Sequence, residues 1–217
     1  MERAVLTINS RNYGSWSLRG WLLCRYAGLD FEEVVLPSDD EKSRAELLLL
    51  SASFQVPRLA VGPVTVWGTL AIAEYLNETY PSAGLLPSGP VERAWCRSVC
   101  DEMHSGFANL RAAMPMNIKS RHPAFKVWSG AQNDIDRIVE IWSACLEASG
   151  GPYLFGQPTM ADAMYAPVCT RFVTYDTELD DQCTRYRDFV MGSRPMKEWI
   201  AAAEAEPEDL DELDVEF

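Results

Sequence analysis

The stretch PSAGLLPSGP (81–90) divides the sequence into two parts with different hydrophobic periods. Ahead of it, apolar runs of strand length alternate with helical runs in the order βαβ and then ββα. This pattern predicts an α/β domain over residues 1–81. After the stretch 81–90 the apolar residues recur only with helical spacing, which predicts an all-helical domain over 91–205. The expected helices of the second part lie at 91–113, about 132–149, 160–174, 180–191 and 195–205.

Within the first part, the order of the elements predicts one parallel and one antiparallel pair of strands. A tight turn at Gly62-Pro63 is expected to join the last two strands as a hairpin. The predicted elements are the strand AVLTI (4–8), the helix SLRGWLLCRYAG (17–28), the strand FEEVVL (31–36), the helix EKSRAELLLLS (41–51), the strands VPRLAV (56–61) and VTVW (64–67), and the helix TLAIAEYLNETY (69–80).

The formal net charge of −13 is unevenly distributed, because the last fourteen residues, EAEPEDLDELDVEF, contain eight acids and no base. We expect residues 206–217 to form a solvated acidic tail. The sequence has no basic face of the kind that binds phosphates, so nucleic acid is not an expected partner. It also lacks a signal peptide or an apolar run long enough to span a membrane, which predicts a cytoplasmic protein without a membrane partner.

Six cysteines occur without a C-x-x-C motif. Cys96 and Cys100 share one helix face, but no further His or Cys accompanies them as a metal ligand. We therefore predict buried free thiols in a reducing compartment and no metal site. In the helical part, TMAD has capping-box spacing, with Thr159 as the N-cap and Asp162 at the third helical position.

Two features of the first part indicate a ligand site. Ser15 and Ser17 lie where a helix begins, and such hydroxyls either cap the helix or donate to an anion favoured by the helix dipole. The proline in FQVPRL precedes a strand; either its peptide bond is trans in an ordinary turn, or it is cis and presents the backbone of Val56 to an extended peptide. Dithiol chemistry is not expected, because Ser15-Trp16-Ser17-Leu18 occupies the place of a C-x-x-C.

Six stretches of the sequence match motifs of one known protein family and follow each other in the same order as in that family: NYGSWSLRGWLL, QVPRL, WGTLAIAEYL, RSVCDEMHSGFANLR, PMN and FGQPTMADAMYAPV. The sequence resembles the glutathione S-transferase family over nearly its whole length, and within it a bacterial subgroup related to the serine-type theta and zeta classes. The resemblance implies a thioredoxin-like N-terminal domain, an all-α C-terminal domain, a homodimer, and glutathione as co-substrate without a metal.

The resemblance also assigns roles to residues. It makes Ser15 the catalytic hydroxyl that activates the glutathione thiol, and it implies that Thr69 holds the γ-glutamyl carboxylate. The residues that the resemblance implies for glutathione binding are Gln55, Val56, Pro57, Gly68 and Thr69. The sequence departs from the family at Gly68, where Glu or Asp is usual. Because glycine cannot pair with the γ-glutamyl ammonium, the affinity is expected to be about tenfold to a hundredfold lower.

Candidates for the second-substrate pocket are Trp16, Met103, His104, Phe107, Arg111 and Tyr165. His104 is either an acid/base group or a structural residue, and Arg111 holds either an anionic substrate or an acid across the dimer. Trp16 and Tyr165 supply pocket walls or core packing. Arg171 is a weaker candidate for anion binding.

The sequence supports two functions. The first is a glutathione S-transferase-like enzyme whose activated thiol attacks a small, mostly apolar electrophile, in conjugation for detoxification or biosynthesis, or in a zeta-like isomerisation. The alternative is a non-catalytic dimeric module of the same fold that binds a partner.

Overall fold

The computed structural model of the protein describes residues 3–36 and 55–206. The first part contains β1 (Ala4–Ile8), α1 (Ser15–Tyr26), β2 (Phe31–Val35), β3 (Arg58–Val61), β4 (Val64–Trp67) and α2 (Thr69–Thr79), followed by a 3-10 turn (Pro81–Ala83). The second contains α3 (Pro90–Ser105), α4 (Ala108–Ala113), α5 (Ser129–Ser149), α6 (Met160–Thr174), α7 (Asp181–Gly192) and α8 (Arg194–Glu204). The helix expected at 41–51 lies outside the described residues.

The sheet has the order β2-β1-β3-β4. β1 pairs with β2 in parallel, whereas β3 is antiparallel to both β1 and β4. Leu6 and Ile8 of β1 and Leu59 of β3, which pairs with Leu6, lie on one face of the sheet. All three are fully buried, so this face packs against the core. This mixed sheet, followed by helices, confirms the predicted thioredoxin-like domain and the all-α domain.

Helix α1 connects the sheet to the helical part and sets the geometry of the site. Most of the helix is buried, and it packs closely against α6. Gly20 allows a close approach to the strand entry, because a Cβ at this position would lie 2.5 Å from the Pro57 Cβ. The start of α1 is therefore held beside the Val56–Pro57 turn.

The sequence predicted one helix over 91–113, and this was wrong. Helix α3 ends at Ser105, and α4 begins at Ala108. Gly106 is extended, with φ −95° and ψ −168°, and Phe107 has the left-handed φ of 58°. These two residues interrupt the helical hydrogen bonds and turn the chain.

The predicted capping box at the start of α6 is confirmed. Asp162 is fully buried and accepts hydrogen bonds from the Thr159 amide at 2.9 Å and the Thr159 hydroxyl at 3.0 Å. It also accepts from the Leu154 amide at 3.0 Å and the Tyr186 hydroxyl at 3.1 Å. Burial nevertheless raises the pKa of Asp162 to about 6, although all four donors favour the charged carboxylate.

All six cysteines are buried and carry free thiols, as predicted. Within residues 3–36 and 55–206, no group of three or more His, Cys, Asp and Glu side chains has an arrangement suited to a metal ion. None of the helices in these residues has the length and apolar character needed to cross a membrane.

Candidate active site

A cleft of about 360 Å³ lies where the sheet domain meets the helical domain. It is formed by the start of α1, the turn before β3, the start of α2 and the end of α3. All five residues expected to bind glutathione line it, together with two expected to contact the second substrate. The lining residues are Trp16, Gln55, Val56, Pro57, Gly68, Thr69 and His104.

The peptide bond between Val56 and Pro57 is cis. Of the trans and cis alternatives that the sequence left open, the structure has the cis form. The Pro57 carbonyl accepts a hydrogen bond from the Gly68 amide at 3.2 Å. This bond ties the turn to the residue that begins α2, so the two backbone segments form one wall of the cleft.

Helix α2 begins in the cleft. Gly68, its N-cap, has φ 84° and ψ 137°, a conformation that residues with a Cβ rarely adopt. No side chain caps this end of the helix among the described residues, and Thr69, its first residue, is buried. Unpaired N–H groups and the helix dipole make such a terminus suitable for a carboxylate.

Helix α1 begins next to the same cleft at Ser15, which is half-buried. Among the described residues the Ser15 hydroxyl has no hydrogen-bond partner, whereas its amide donates to the Tyr13 carbonyl at 2.9 Å. Ser15 is adjacent to Trp16, which lines the cleft, but is not itself one of the lining residues. Its hydroxyl is therefore available to a ligand.

The neighbouring positions do not offer such a hydroxyl. Ser17 is fully buried, and its Oγ donates to the Asn9 side chain and accepts from the Asn9 amide at 3.1 Å. Gly14 has no space for a side chain, because a Cβ there would lie 2.2 Å from the Ser10 carbonyl oxygen. The local packing thus leaves Ser15 as the available serine at this helix start.

Trp16 is surrounded by cationic and polar groups. The guanidinium carbon of Arg19 lies 4.5 Å from the centre of its ring, and that of Arg111 lies 5.2 Å away. The His104 ring contacts the same indole edge-to-face, with centroids 5.1 Å apart. These cation–π contacts fix the indole between the two domains.

Arg19, Arg111 and Arg171 form a cationic cluster behind Trp16. Burial lowers the pKa of each guanidinium, and repulsion from Arg111 lowers those of Arg19 and Arg171 further, the latter to about 10. In the described part of the chain none of the three forms a salt bridge, although the nearby Asp134 carboxylate opposes the lowering of the Arg111 pKa. Arg19 Nη2 and Arg111 Nε are buried without a partner there. The cluster gives this side of the cleft a positive potential.

The environment of His104 disfavours its cation. Burial lowers its pKa, and Arg19 and Arg111 lower it further, while Asp101 opposes them. Its Nδ1 lies 3.5 Å from the Thr69 hydroxyl. A neutral imidazole in this position can accept a proton or a hydrogen bond from a ligand in the cleft.

The other expected second-substrate residues lie deeper. Met103 and Tyr165 are fully buried, and Phe107 is 7% exposed. The Tyr165 hydroxyl donates to the Val99 carbonyl at 3.1 Å, and its ring packs against Trp142. For these side chains the structure shows core packing behind the site, so they do not line the cleft described here.

Arg19 is not among the residues that the sequence assigns to the site, yet it belongs to the cationic cluster. The signal in the sequence is a lone cation in the apolar run of α1, three residues after the half-buried Trp16. Arg19 is 1% exposed, and its Nε donates to the Met164 carbonyl of α6 at 2.8 Å. An arginine in a fully buried helix face needs such partners.

Two family profiles match the chain. "Glutathione S-transferase, N-terminal domain" matches residues 13–79, and "Glutathione S-transferase, C-terminal domain" matches residues 126–202. The maleylacetoacetate isomerase of Rattus norvegicus is 31% identical over 173 residues, which are 76% of this chain and 76% of that protein. A probable maleylacetoacetate isomerase of Caenorhabditis elegans is 27% identical over 168 residues, 77% of this chain and 78% of that protein.

Solved structures share the fold. A glutathione transferase homologue from Burkholderia with bound glutathione has a TM-score of 0.71 at 22% identity, over 94% of this chain and all of that one. A glutathione S-transferase from the clam Laternula elliptica has a TM-score of 0.69 at 19% identity, over 95% of this chain and 96% of that one. The profile matches and the curated relatives confirm the prediction of a glutathione S-transferase-like enzyme. The chain belongs to the glutathione S-transferase family.

Proposed function

We propose that the chain binds glutathione in the cleft, ionises its thiol beside Ser15 and directs the thiolate at an electrophile on the side of Trp16 and His104. The observation that carries this proposal is that the start of α2 at Thr69 and the Val56–Pro57 turn line one cleft together with Trp16, which follows Ser15 at the start of α1. Among the residues that the structure describes, neither helix start is capped by a side chain. Each start favours one negative group of the tripeptide: the thiolate or a carboxylate.

The lining residues support one orientation of glutathione in the cleft. The backbone of Val56 pairs with the cysteinyl unit as a short strand edge, and the start of α2 at Thr69 takes the γ-glutamyl carboxylate. Gln55 adds a polar group to the lining, whereas Gly68 supplies no partner for the ammonium group. Binding through these groups is therefore expected to be weaker than with an acid at position 68.

Thiol activation falls to the Ser15 hydroxyl. Lowering the thiol pKa by one unit requires about 1.4 kcal/mol of differential stabilisation. A hydrogen bond to a charged group contributes about 1.5–3 kcal/mol, and the helix dipole adds about 0.3–1 kcal/mol. Together they lower the thiol pKa by about one to three units. This chemistry requires proximity and an activated nucleophile but no metal.

The cationic cluster specifies the electrophile further. Three guanidinium groups without a paired carboxylate among the described residues favour a small, mostly apolar electrophile that carries an anionic group. Attack on such a molecule gives a conjugate. When the carbon belongs to a cis-alkene, addition, rotation and loss of glutathione give an isomer instead, and the isomerase names of the curated relatives favour this second outcome.

A homodimer, a cytoplasmic location and a role in detoxification belong to the same proposal. The six buried free thiols support a reducing compartment. The family membership supports the dimer, which analytical ultracentrifugation tests directly.

The proposed activity is tested with reduced glutathione and three electrophiles: an activated aryl halide, a peroxide and a cis-alkene bearing a carboxylate. We expect Ser15→Ala to lower kcat/KM at pH 7 about tenfold to a hundredfold and to shift its pH profile upward by about one to two units. Ser98→Ala, which removes an exposed hydroxyl of α3, is the matched control. An unchanged profile in Ser15→Ala contradicts the role of Ser15. Glutathione binding without turnover of any electrophile supports the non-catalytic module.

A further inference from the structure

Glu206 follows helix α8 and meets the loop between β1 and α1. Its carboxylate accepts three hydrogen bonds from this loop: from the Ser10 hydroxyl at 2.8 Å, the Arg11 amide at 2.6 Å and the Asn12 amide at 3.0 Å. The sequence placed residue 206 at the start of a solvated tail, whereas the structure shows it bound to the folded protein. Residues 207–217 lie outside the described part.

The bound loop leads directly to Ser15. Because the Ser10 hydroxyl donates to Glu206, its lone pairs accept from the amides of Asn12 at 3.1 Å and Tyr13 at 3.2 Å. The Ser10 carbonyl accepts from the Gly14 amide at 2.9 Å, and the Tyr13 carbonyl accepts from the Ser15 amide at 2.9 Å. A continuous chain of hydrogen bonds thus runs from the Glu206 carboxylate to the first residue of α1.

Neighbouring groups keep Glu206 in place. Its side chain is 13% exposed, and Arg11, which lies 3.9 Å away, also pairs with Glu33 at 2.8 Å. The Lys119 ammonium donates to the Glu206 carbonyl at 2.7 Å, and the Trp199 indole of α8 donates to the Arg11 carbonyl at 3.0 Å. Charge-assisted bonds at such low exposure are stronger and more directional than those on an open surface.

We propose that Glu206 is a positioning residue, which holds loop 10–13 in the conformation that places the Ser15 hydroxyl beside the cleft. The inference rests on the proposed function of Ser15. Glu206 does not touch the reacting atoms; it acts through Ser10 and the backbone of the loop. Three donors converge on one carboxylate, and an amide oxygen cannot satisfy them all because the side-chain NH2 would face a donor.

The test compares the variants Glu206→Gln and Glu206→Asp with the unaltered protein. Glu204→Gln, at an exposed position of α8, is the matched control. Without any ligand, Glu206→Gln is expected to speed amide hydrogen exchange at Arg11 and Asn12 about tenfold to a hundredfold. Glu206→Asp is expected to restore part of the protection, and Glu204→Gln to leave it unchanged. Unchanged exchange in Glu206→Gln overturns the proposal.

The second measurement is the pKa of the bound glutathione thiol, read from the ultraviolet absorbance of the thiolate. We expect Glu206→Gln to raise this pKa and lower kcat at pH 7, while the dissociation constant of glutathione, set by Val56 and Thr69, stays within about twofold. If Ser15→Ala raises the thiol pKa but Glu206→Gln does not, the positioning role of Glu206 is refuted while the proposed role of Ser15 stands. If Ser15→Ala leaves that pKa unchanged, the proposed function fails and the inference falls with it.

Discussion

Thr69 and His104 meet across the cleft, with the threonine Oγ1 3.5 Å from the histidine Nδ1. The contact joins the start of α2 in the sheet domain to the last turn of α3 in the helical domain. The residue expected to hold glutathione is thereby within reach of a residue expected to contact the second substrate. The protonation state of His104 consequently affects both sides of the cleft.

His104 is expected to titrate below the ordinary histidine pKa, because burial, Arg19 and Arg111 all disfavour its cation. Its contribution to stability is then present above the unfolded-state pKa of about 6.5 and is lost as the pH falls through the folded-state pKa. NMR titration of the imidazole measures this pKa directly. Arg111→Gln should raise it, whereas Arg121→Gln, at an exposed position, should not. A pKa at or above 6.5 in the unaltered protein contradicts the prediction.

Glutathione affinity is expected to depend on position 68. Isothermal titration should show weak binding by the unaltered protein and binding about tenfold tighter or more by Gly68→Glu, which offers a partner to the ammonium. Gly68→Ala is the control for backbone strain, since φ is 84° at this residue. Both variants should lose about 1–3 kcal/mol of stability. Equal affinities for Gly68→Glu and Gly68→Ala would show that the ammonium is held elsewhere.

Ser17 is expected to act in stability and not in thiol activation. Ser17→Ala leaves the half-buried Asn9 side chain and the Asn9 amide without their partner, at a cost of about 1–3 kcal/mol. Chemical denaturation measures this loss. The pH profile of kcat/KM should stay where it is in the unaltered protein. An upward shift as large as that of Ser15→Ala would instead make Ser17 the activating hydroxyl.

Arg111 is expected to select electrophiles that carry a negative charge. Arg111→Gln should raise KM about tenfold to a hundredfold for an electrophile with a carboxylate, and by far less for a neutral one. Steady-state kinetics with a matched pair, the acid and its methyl ester, gives this ratio. Arg121→Gln again serves as the control. Equal effects on the acid and the ester would refute anion recognition by Arg111.

The fold was largely predictable from local patterns in the sequence. The apolar run AVLTI, rich in β-branched residues, and the hairpin signal at Gly62-Pro63 predict the strands, and the spacing of Thr159 and Asp162 predicts the start of α6. Such signals lie within a few residues of the structure that they determine. For the same reason, the five residues expected to bind glutathione line one cleft, since each is next to a turn or a helix start.

The remaining features depend on contacts between distant parts of the chain. Gly106 and Phe107 break a helix that the apolar period carries through, because the turn is stabilised by packing and not by a proline. Arg19 reaches a carbonyl 145 residues away, and Tyr165 reaches one 66 residues away. For Tyr165, no local pattern distinguishes this core side chain from a residue that lines a pocket.

The bond between Ser10 and Glu206 joins groups 196 residues apart. During synthesis on the ribosome, the loop that precedes Ser15 emerges early, and its carboxylate partner emerges only after all the helices described here. The contact that holds this loop can therefore form only after the rest of the described chain has been synthesised. Under the proposed role of Glu206, a chain that ends before this residue is expected to lack the constraint on the loop that precedes Ser15.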